Sequence, residues 1–393
     1  MTPTATAVTD QHLRRDLVAA ATMVAQTVVA SSANSVDREA RFPQEAVDAL
    51  RKQRLLGAMI PRAFGGGGAT LAEVGLIIEL LGAQCASTAM IYAMHQIQVA
   101  CLVNHGTTPE LHDYLRLVAG NELLLASATT EIGVGGDVRR SLCSLDETAD
   151  GYSLTKEAGV ISYGNYADGI LATARRNSSA ANSDQVIVAI PARDYELEPR
   201  GTWDTLGFRG TCSLGFLLQA HVDAGCVIPA SYAEVSSRTM LPISHITWAH
   251  VWLGIAEGAM IKARASLRIS ARKTPGETPP GALRVAEALT ILHQFRSLVH
   301  GAVRDYEAAL QSPNSLDSMG FAIQMNNLKL SSSTLVVDVV SRALNICGIA
   351  GYREDSPFSL GRALRDAHGA ALMVNNDRIY KTTAQMLLIA KDV

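Results

Sequence analysis

Up to about residue 124, apolar residues recur every three to four positions, the period of helices packed on one face. Val18, Ala21, Val24, Ala25 and Val28 share the first such stripe. Phe42-Pro43-Gln44-Glu45 opens a second helix, with Val47, Leu50 and Leu55 on its apolar side. A glycine-rich break, Arg62 to Gly68, precedes a third over Thr70 to Gln84. A largely buried fourth covers Ser87 to Val103.

The period then shortens. Leu123–Thr129, Tyr152–Thr155, Gly169–Ala174, Gln185–Ile190 and Leu214–His221 are short strand-like runs. Turn signals at Asp150-Gly151, Asn177-Ser178 and Asp223-Ala224-Gly225 separate them. Such spacing predicts a β-barrel or sandwich. From about Ser244 the helical period returns. Leu289, Leu292, Val299, Val303, Tyr306 and Leu310 form one stripe, and Phe321 to Cys347 is another long helix. A Pro/Gly loop from Lys273 to Gly281 precedes this pair, and a last helix spans about Asp377 to Ala390. The expected fold is therefore α+β. A helical domain (1–124) is followed by a β domain (125–238) and a helical bundle (239–393).

Composition narrows the function. The 393 residues carry a formal net charge of −3, with 48% hydrophobic and 18% charged positions. That is ordinary for a globular protein with a substantial core. It offers no basic surface for nucleic acid and none for an anionic membrane. The six cysteines form no C-x-x-C pair and adjoin no histidine at zinc spacing, so free buried thiols and no metal are expected. Arg14 and Arg15 before the apolar run Leu17 to Ala30 imitate an export signal. Thr22, Gln26 and Thr27 interrupt that run, which reads better as an amphipathic helix. Elsewhere no clean apolar stretch is long enough to span a bilayer, and a cytoplasmic location without membrane insertion is the expectation.

Several segments, in order and at matching spacing, resemble the acyl-CoA dehydrogenase superfamily over nearly the whole chain. Ile60-Pro61-Arg62-Ala63-Phe64-Gly65-Gly66 resembles the family's P-x-x-Y/F-G-G turn. Thr130-Glu131-Ile132-Gly133-Val134-Gly135-Gly136-Asp137 resembles T-E-P-G-A-G-S-D. Val160-Ile161-Ser162-Tyr163-Gly164 with Ala167-Asp168 resembles W/F-I-T-N-G…A-D. Leu206-Gly207-Phe208-Arg209-Gly210-Thr211 resembles L-G-x-R-G/A-T/S, with Val227-Ile228-Pro229 after it. Gly348-Ile349-Ala350-Gly351-Tyr352 and Leu364-Arg365-Asp366-Ala367 resemble G-G-x-G-Y…L-R-D-A.

The resemblance implies a flavin, FAD before FMN, between the β domain and a four-helix bundle. Thr129, Thr130 and Gly135 would approach the isoalloxazine through backbone N–H groups, and Ser162 would add a hydroxyl. Arg272, in Arg272-Lys273-Thr274-Pro275-Gly276, resembles the family's R-x-x-F-G arginine, which would grip pyrophosphate across a subunit interface. The family's aromatic is Pro275 here. Gly348 and Gly351 would admit a neighbouring subunit's cofactor, so a homo-oligomer, dimer or tetramer, is implied. Asn376 is a further cofactor candidate.

One family feature is missing. The catalytic Glu that follows R-D-A falls on Val374 or Asn375. The alternative position on the first bundle helix reads Ser244-His245-Ile246-Thr247-Trp248, without a carboxylate. The Ser of G-A-G-S-D is Gly136. His95 and His245 rank first among replacement bases, ahead of His250 and His368, and Asn375 could orient a substrate carbonyl. Two enzyme classes follow. The first is a dehydrogenase that oxidises an acyl thioester or related small metabolite at its α,β carbons with a histidine or water-relayed base, on CoA, a carrier protein or no carrier, passing electrons to a partner. The other is a monooxygenase fed by a flavin reductase and working through a C4a-hydroperoxide, with Ser162 and His95 at the ring. A flavin-binding paralogue without catalysis is the third alternative.

Overall fold

The computed structural model describes residues 17–390 apart from Thr274 and Pro313. Arg14, Arg15 and Thr274 thus lie outside the described residues. The helical part comprises α1 (Leu17–Arg38), α2 (Gln44–Lys52), α3 (Leu71–Gly82), α4 (Ala86–His105) and α5 (Pro109–Asn121). The start of α3 is written locally. Thr70 accepts the Glu73 amide, and the Glu73 carboxylate accepts the Thr70 amide in return. Thr108 caps α5 in the same position, with Pro109 as first residue. The hydrophobic pattern had not separated α5 from the loop before it.

Helix α4 is the pillar of this domain. Its most apolar 18-residue window is 89% buried. By length and composition α1, α4 and Met319–Cys347 are each long and apolar enough to cross a membrane. This corrects the expectation that no stretch beyond the first would qualify. In α4 the apolar length is explained by burial on all sides.

The middle region holds two sheets. One orders β1 (Leu125–Ala128), β4 (Gly169–Arg175) and β5 (Gln185–Pro191), with β1 parallel to β4. The other orders β2 (Asp146–Thr148), β3 (Gly151–Ile161), β7 (Leu214–Val222) and β6 (Tyr195–Arg200). Strands β4 and β5 are buried nearly throughout, which is why they read as continuous apolar runs. Strands β2 and β6 are exposed and polar, and carried no such signal.

The C-terminal region is built on α6 (Leu241–Lys273), α7 (Gly281–Leu310) and α8 (Met319–Cys347), with the shorter α9 (Gly361–Gly369) and α10 (Asn376–Leu387) against them. Leu292, Val299, Val303 and Tyr306 of the α7 stripe are buried, whereas Leu310 is 51% exposed at its end. Asp366 of α9 accepts the Phe208 amide at 2.6 Å and fastens the bundle to the β region.

Candidate active site

Strand β1 ends at Ala128 and the chain enters a turn with glycines in the left-handed region, Gly133 (φ 94°), Gly135 (φ 60°) and Gly136 (φ 75°). Side chains rarely adopt such angles, so the turn presents bare backbone. Open space lies where a Gly135 side chain would stand. The amides of Gly133 and Gly135 donate to no backbone acceptor among the described residues. Such a nest suits an anionic or carbonyl edge.

The turn is anchored from below by a buried ion pair. Lys156, fully buried on β3, lies 3.1 Å from the Glu131 carboxylate. Glu131 also accepts from the Ser141 hydroxyl at 2.6 Å and the Cys143 amide at 2.7 Å. Burial opposes its ionisation, but these bonds and Lys156 outweigh that and hold it below the usual carboxylate range. The Thr130 side chain does not face the turn's open side. It donates to Val160 O at 2.9 Å and accepts the Val160 amide at 3.2 Å, zipping the turn to β3.

Ser162 follows β3 and is nearly buried. It accepts from the Ser213 hydroxyl at 2.8 Å, and Thr211 Oγ1 lies 2.8 Å beyond Ser213. With Ser213 as donor, Ser162 keeps its own proton to give away. From the bundle, Arg378 reaches across to the carbonyls of Gly135 and Gly136. A side chain at Gly136 would collide with its guanidinium, at 2.8 Å from Nη1. The loss of the family Ser at this position thus admits an arginine. Sequence reading missed Arg378, because nothing near it announced a partner about 240 residues away.

The bundle edge carries Asn375, Asn376 and Val374. Asn375 accepts the Asp377 amide at 2.8 Å and is the N-cap of α10. The cap occupies the Asn375 oxygen and not the amide NH2 that would orient a substrate carbonyl. Asn376 is turned inward. Its oxygen accepts from Lys329 at 2.6 Å and its amide donates to Ser333 at 3.0 Å, so it is no free flavin contact. Lys329 also holds the Val374 carbonyl. Burial lowers the Lys329 pKa to about 8.

Neither leading histidine stands free. His95 is fully buried. Its Nδ1 accepts the Leu125 amide at 3.0 Å, which puts the proton on Nε2, and that donates to Leu56 O at 2.8 Å. Both nitrogens are spent holding α4 to β1, and burial takes its pKa down to about 4. This corrects the reading of His95 as a group facing a flavin ring. His245 donates from Nδ1 to Met325 O at 3.0 Å, leaving Nε2 without a protein donor among the described residues. Burial, with Lys329 nearby, takes it to about 4 as well. Polar capacity remains elsewhere on these helices: Gln98 Oε1 and Trp248 Nε1 are buried without partners.

Arg272 and Gly348 are not part of this cluster. The helix from His245 to Arg272 is about 40 Å long. Arg272 is exposed, and Gly348 (φ 59°) has open space around it. Gly351 instead packs tightly, 2.6 Å from the Cys347 side chain were it given one.

Two family models match the chain on either side of the β region that carries the turn and Ser162. The acyl-CoA dehydrogenase N-terminal domain matches residues 11–122 and the acyl-CoA dehydrogenase C-terminal domain matches residues 235–374. The chain belongs to the acyl-CoA dehydrogenase superfamily, a family of flavoprotein oxidoreductases. Among its relatives is a cyclohex-1-ene-1-carbonyl-CoA dehydrogenase from Geobacter metallireducens, 26% identical over 97% of this chain and 98% of the relative. Another is the amino sugar nitrososynthase DnmZ from Streptomyces peucetius, 26% identical over 86% of this chain and 84% of the relative. The fold matches FMN-bound TdsC from Paenibacillus sp. A11-2 with a TM-score of 0.81, at 20% identity over 95% of this chain and 97% of that one.

Proposed function

We propose that this superfamily member is a flavin-dependent monooxygenase, supplied with reduced flavin and acting on a small organic substrate with oxygen. One observation carries the reading. The position of the family's catalytic Glu falls on Val374 or Asn375, and no carboxylate base stands there. Val374 is aliphatic, Asn375 caps a helix, Asn376 is engaged by Lys329 and Ser333, and both ring nitrogens of His95 are bonded. Removing an α-proton from an acyl thioester needs such a base. Oxygen chemistry at a reduced flavin does not.

The residues present fit a flavin ring. The bare amides of the glycine turn would hold its polar edge, Ser162 would donate to it, and Arg378 would keep the turn closed against α10. When bound, the reduced flavin activates oxygen. Ser162, through Ser213 and Thr211, supplies a fixed hydroxyl, and the buried helix faces of α4 and α6 exclude water. FAD is the proposed form. Arg272, exposed about 40 Å along α6 from His245, would grip the pyrophosphate of a second copy's cofactor, in a homo-oligomer.

The named activities of DnmZ and of the Geobacter relative support the two enzyme readings one each; the missing base favours the oxygenase. The test supplies NADH, a flavin reductase and oxygen with a panel of amines, thioethers and indoles. A product one oxygen atom heavier, formed only with this protein present, supports the reading. Bleaching of the oxidised flavin by an acyl thioester without oxygen contradicts it.

A further inference from the structure

Three helices bring two imidazoles and a carboxylate to one point outside the site above. Glu79 lies on α3, His250 on α6 and His300 on α7. His250 Nδ1 is 2.6 Å and His300 Nε2 2.8 Å from the same oxygen, Glu79 Oε1. The three donor atoms all lie within 4.8 Å of one another. The rings are inclined by only 26°, with centroids 5.7 Å apart. Their in-plane nitrogens therefore converge on one place and do not serve separate partners.

The surroundings fix this convergence. The His250 side chain is 1% exposed and Glu79 8%, whereas His300 is 34% exposed. The cluster is closed within and open at one edge. Gly75 backs the His250 ring: a side chain there would lie 2.5 Å from Nε2. The ring is packed so tightly that it cannot swing away. Charge points the same way: Glu79 is a mostly buried carboxylate held by two imidazoles, and a cation bound there would offset its charge.

We propose that Glu79, His250 and His300 form a binding site for a divalent ion of the zinc type. Two imidazoles and a carboxylate, with water entering at the open His300 edge, are a donor set that zinc accepts and that magnesium or calcium does not prefer. Binding at His250 Nδ1 and His300 Nε2 moves each neutral ring's proton to its other nitrogen, so both imidazoles ligate in the neutral form. The carboxylate steps back so that each donor stands about 2.0–2.2 Å from the ion. No spacing of ligand residues along the chain announces this site, and no metal had been expected. The residues are 171 and 221 positions apart from Glu79, on three helices.

The experiment titrates the chelator-treated full-length protein with Zn2+ calorimetrically and with Co2+ by visible absorption. The wild type is expected to take up one ion per chain with a ligand-field band in the cobalt form. His300→Ala and Glu79→Gln are expected to weaken uptake by about tenfold or more, and His221→Ala, an exposed histidine elsewhere, to leave it unchanged. Circular dichroism confirms folding, and His300→Gln replaces His300→Ala if the latter does not fold. No saturable uptake by the wild type, or equal uptake by the His300 and Glu79 variants, overturns the proposal. The triad is then a hydrogen-bonded strut between three helices.

Discussion

Lys329 Nζ donates to the carbonyl oxygen of Val374 at 2.8 Å, and Val374 holds a left-handed backbone at φ 45°. Val374, one of the two residues on which the family's base position falls, is thus pinned in a conformation that a β-branched side chain resists. Asn tolerates that region far better. Val374→Asn is expected to stabilise the fold by about 1 kcal/mol in urea unfolding. Lys329→Met leaves the Val374 carbonyl and the Asn376 oxygen without their donor. It should cost about 1–3 kcal/mol and loosen α10.

The pair Lys156–Glu131 beneath the glycine turn gives a second prediction. Lys156→Met leaves Glu131 buried without its counter-charge and should cost about 3–5 kcal/mol. The double variant Lys156→Met/Glu131→Leu should recover part of that loss. Chemical denaturation of the three proteins measures both.

The hydroxyl chain behind Ser162 supplies a third. Ser213→Ala removes the donor that orients Ser162, without touching the turn. Flavin affinity should fall by about 1 kcal/mol, roughly fivefold. Fluorescence titration reads this without any substrate. An unchanged affinity would mean that Ser162 does not meet the flavin.

Much of this architecture was legible in the chain. Where one face of an element is buried, as in α2 or β7, the apolar period revealed it. Thr70 and Glu73 wrote the start of α3 in four residues. Legibility failed where partners are distant in sequence. His95 looked like a catalytic imidazole on a cavity-lining helix, because its acceptor Leu56 and donor Leu125 come from other segments. Arg378 drew no attention in the sequence, because its partners Gly135 and Gly136 meet it only when α10 docks on the glycine turn. The strands β2 and β6 were silent because exposed edge strands need no apolar alternation.

Asp366 predicts a pH dependence. Its carboxyl is buried, which raises its pKa to about 6, partly offset by the Phe208 amide. A carboxyl raised in the folded state binds its proton more tightly there than in the unfolded chain. Its favourable contribution is full below the unfolded value near 4 and is lost as pH rises through 6. Asp366→Asn keeps an oxygen for the Phe208 amide. It should flatten the stability profile between about pH 4 and pH 6, as read by thermal unfolding across that range.

The reading of this chain as an oxygenase without a carboxylate base is tested most directly by one rapid-mixing measurement. The protein is loaded anaerobically with reduced FAD and mixed with oxygenated buffer, with no substrate present. The account predicts a flavin–oxygen absorbance transient that decays more slowly than the autoxidation of free reduced flavin, and that shortens in Ser162→Ala. Reoxidation no faster or slower than that of free flavin, together with bleaching of the oxidised protein by an acyl thioester, would contradict it.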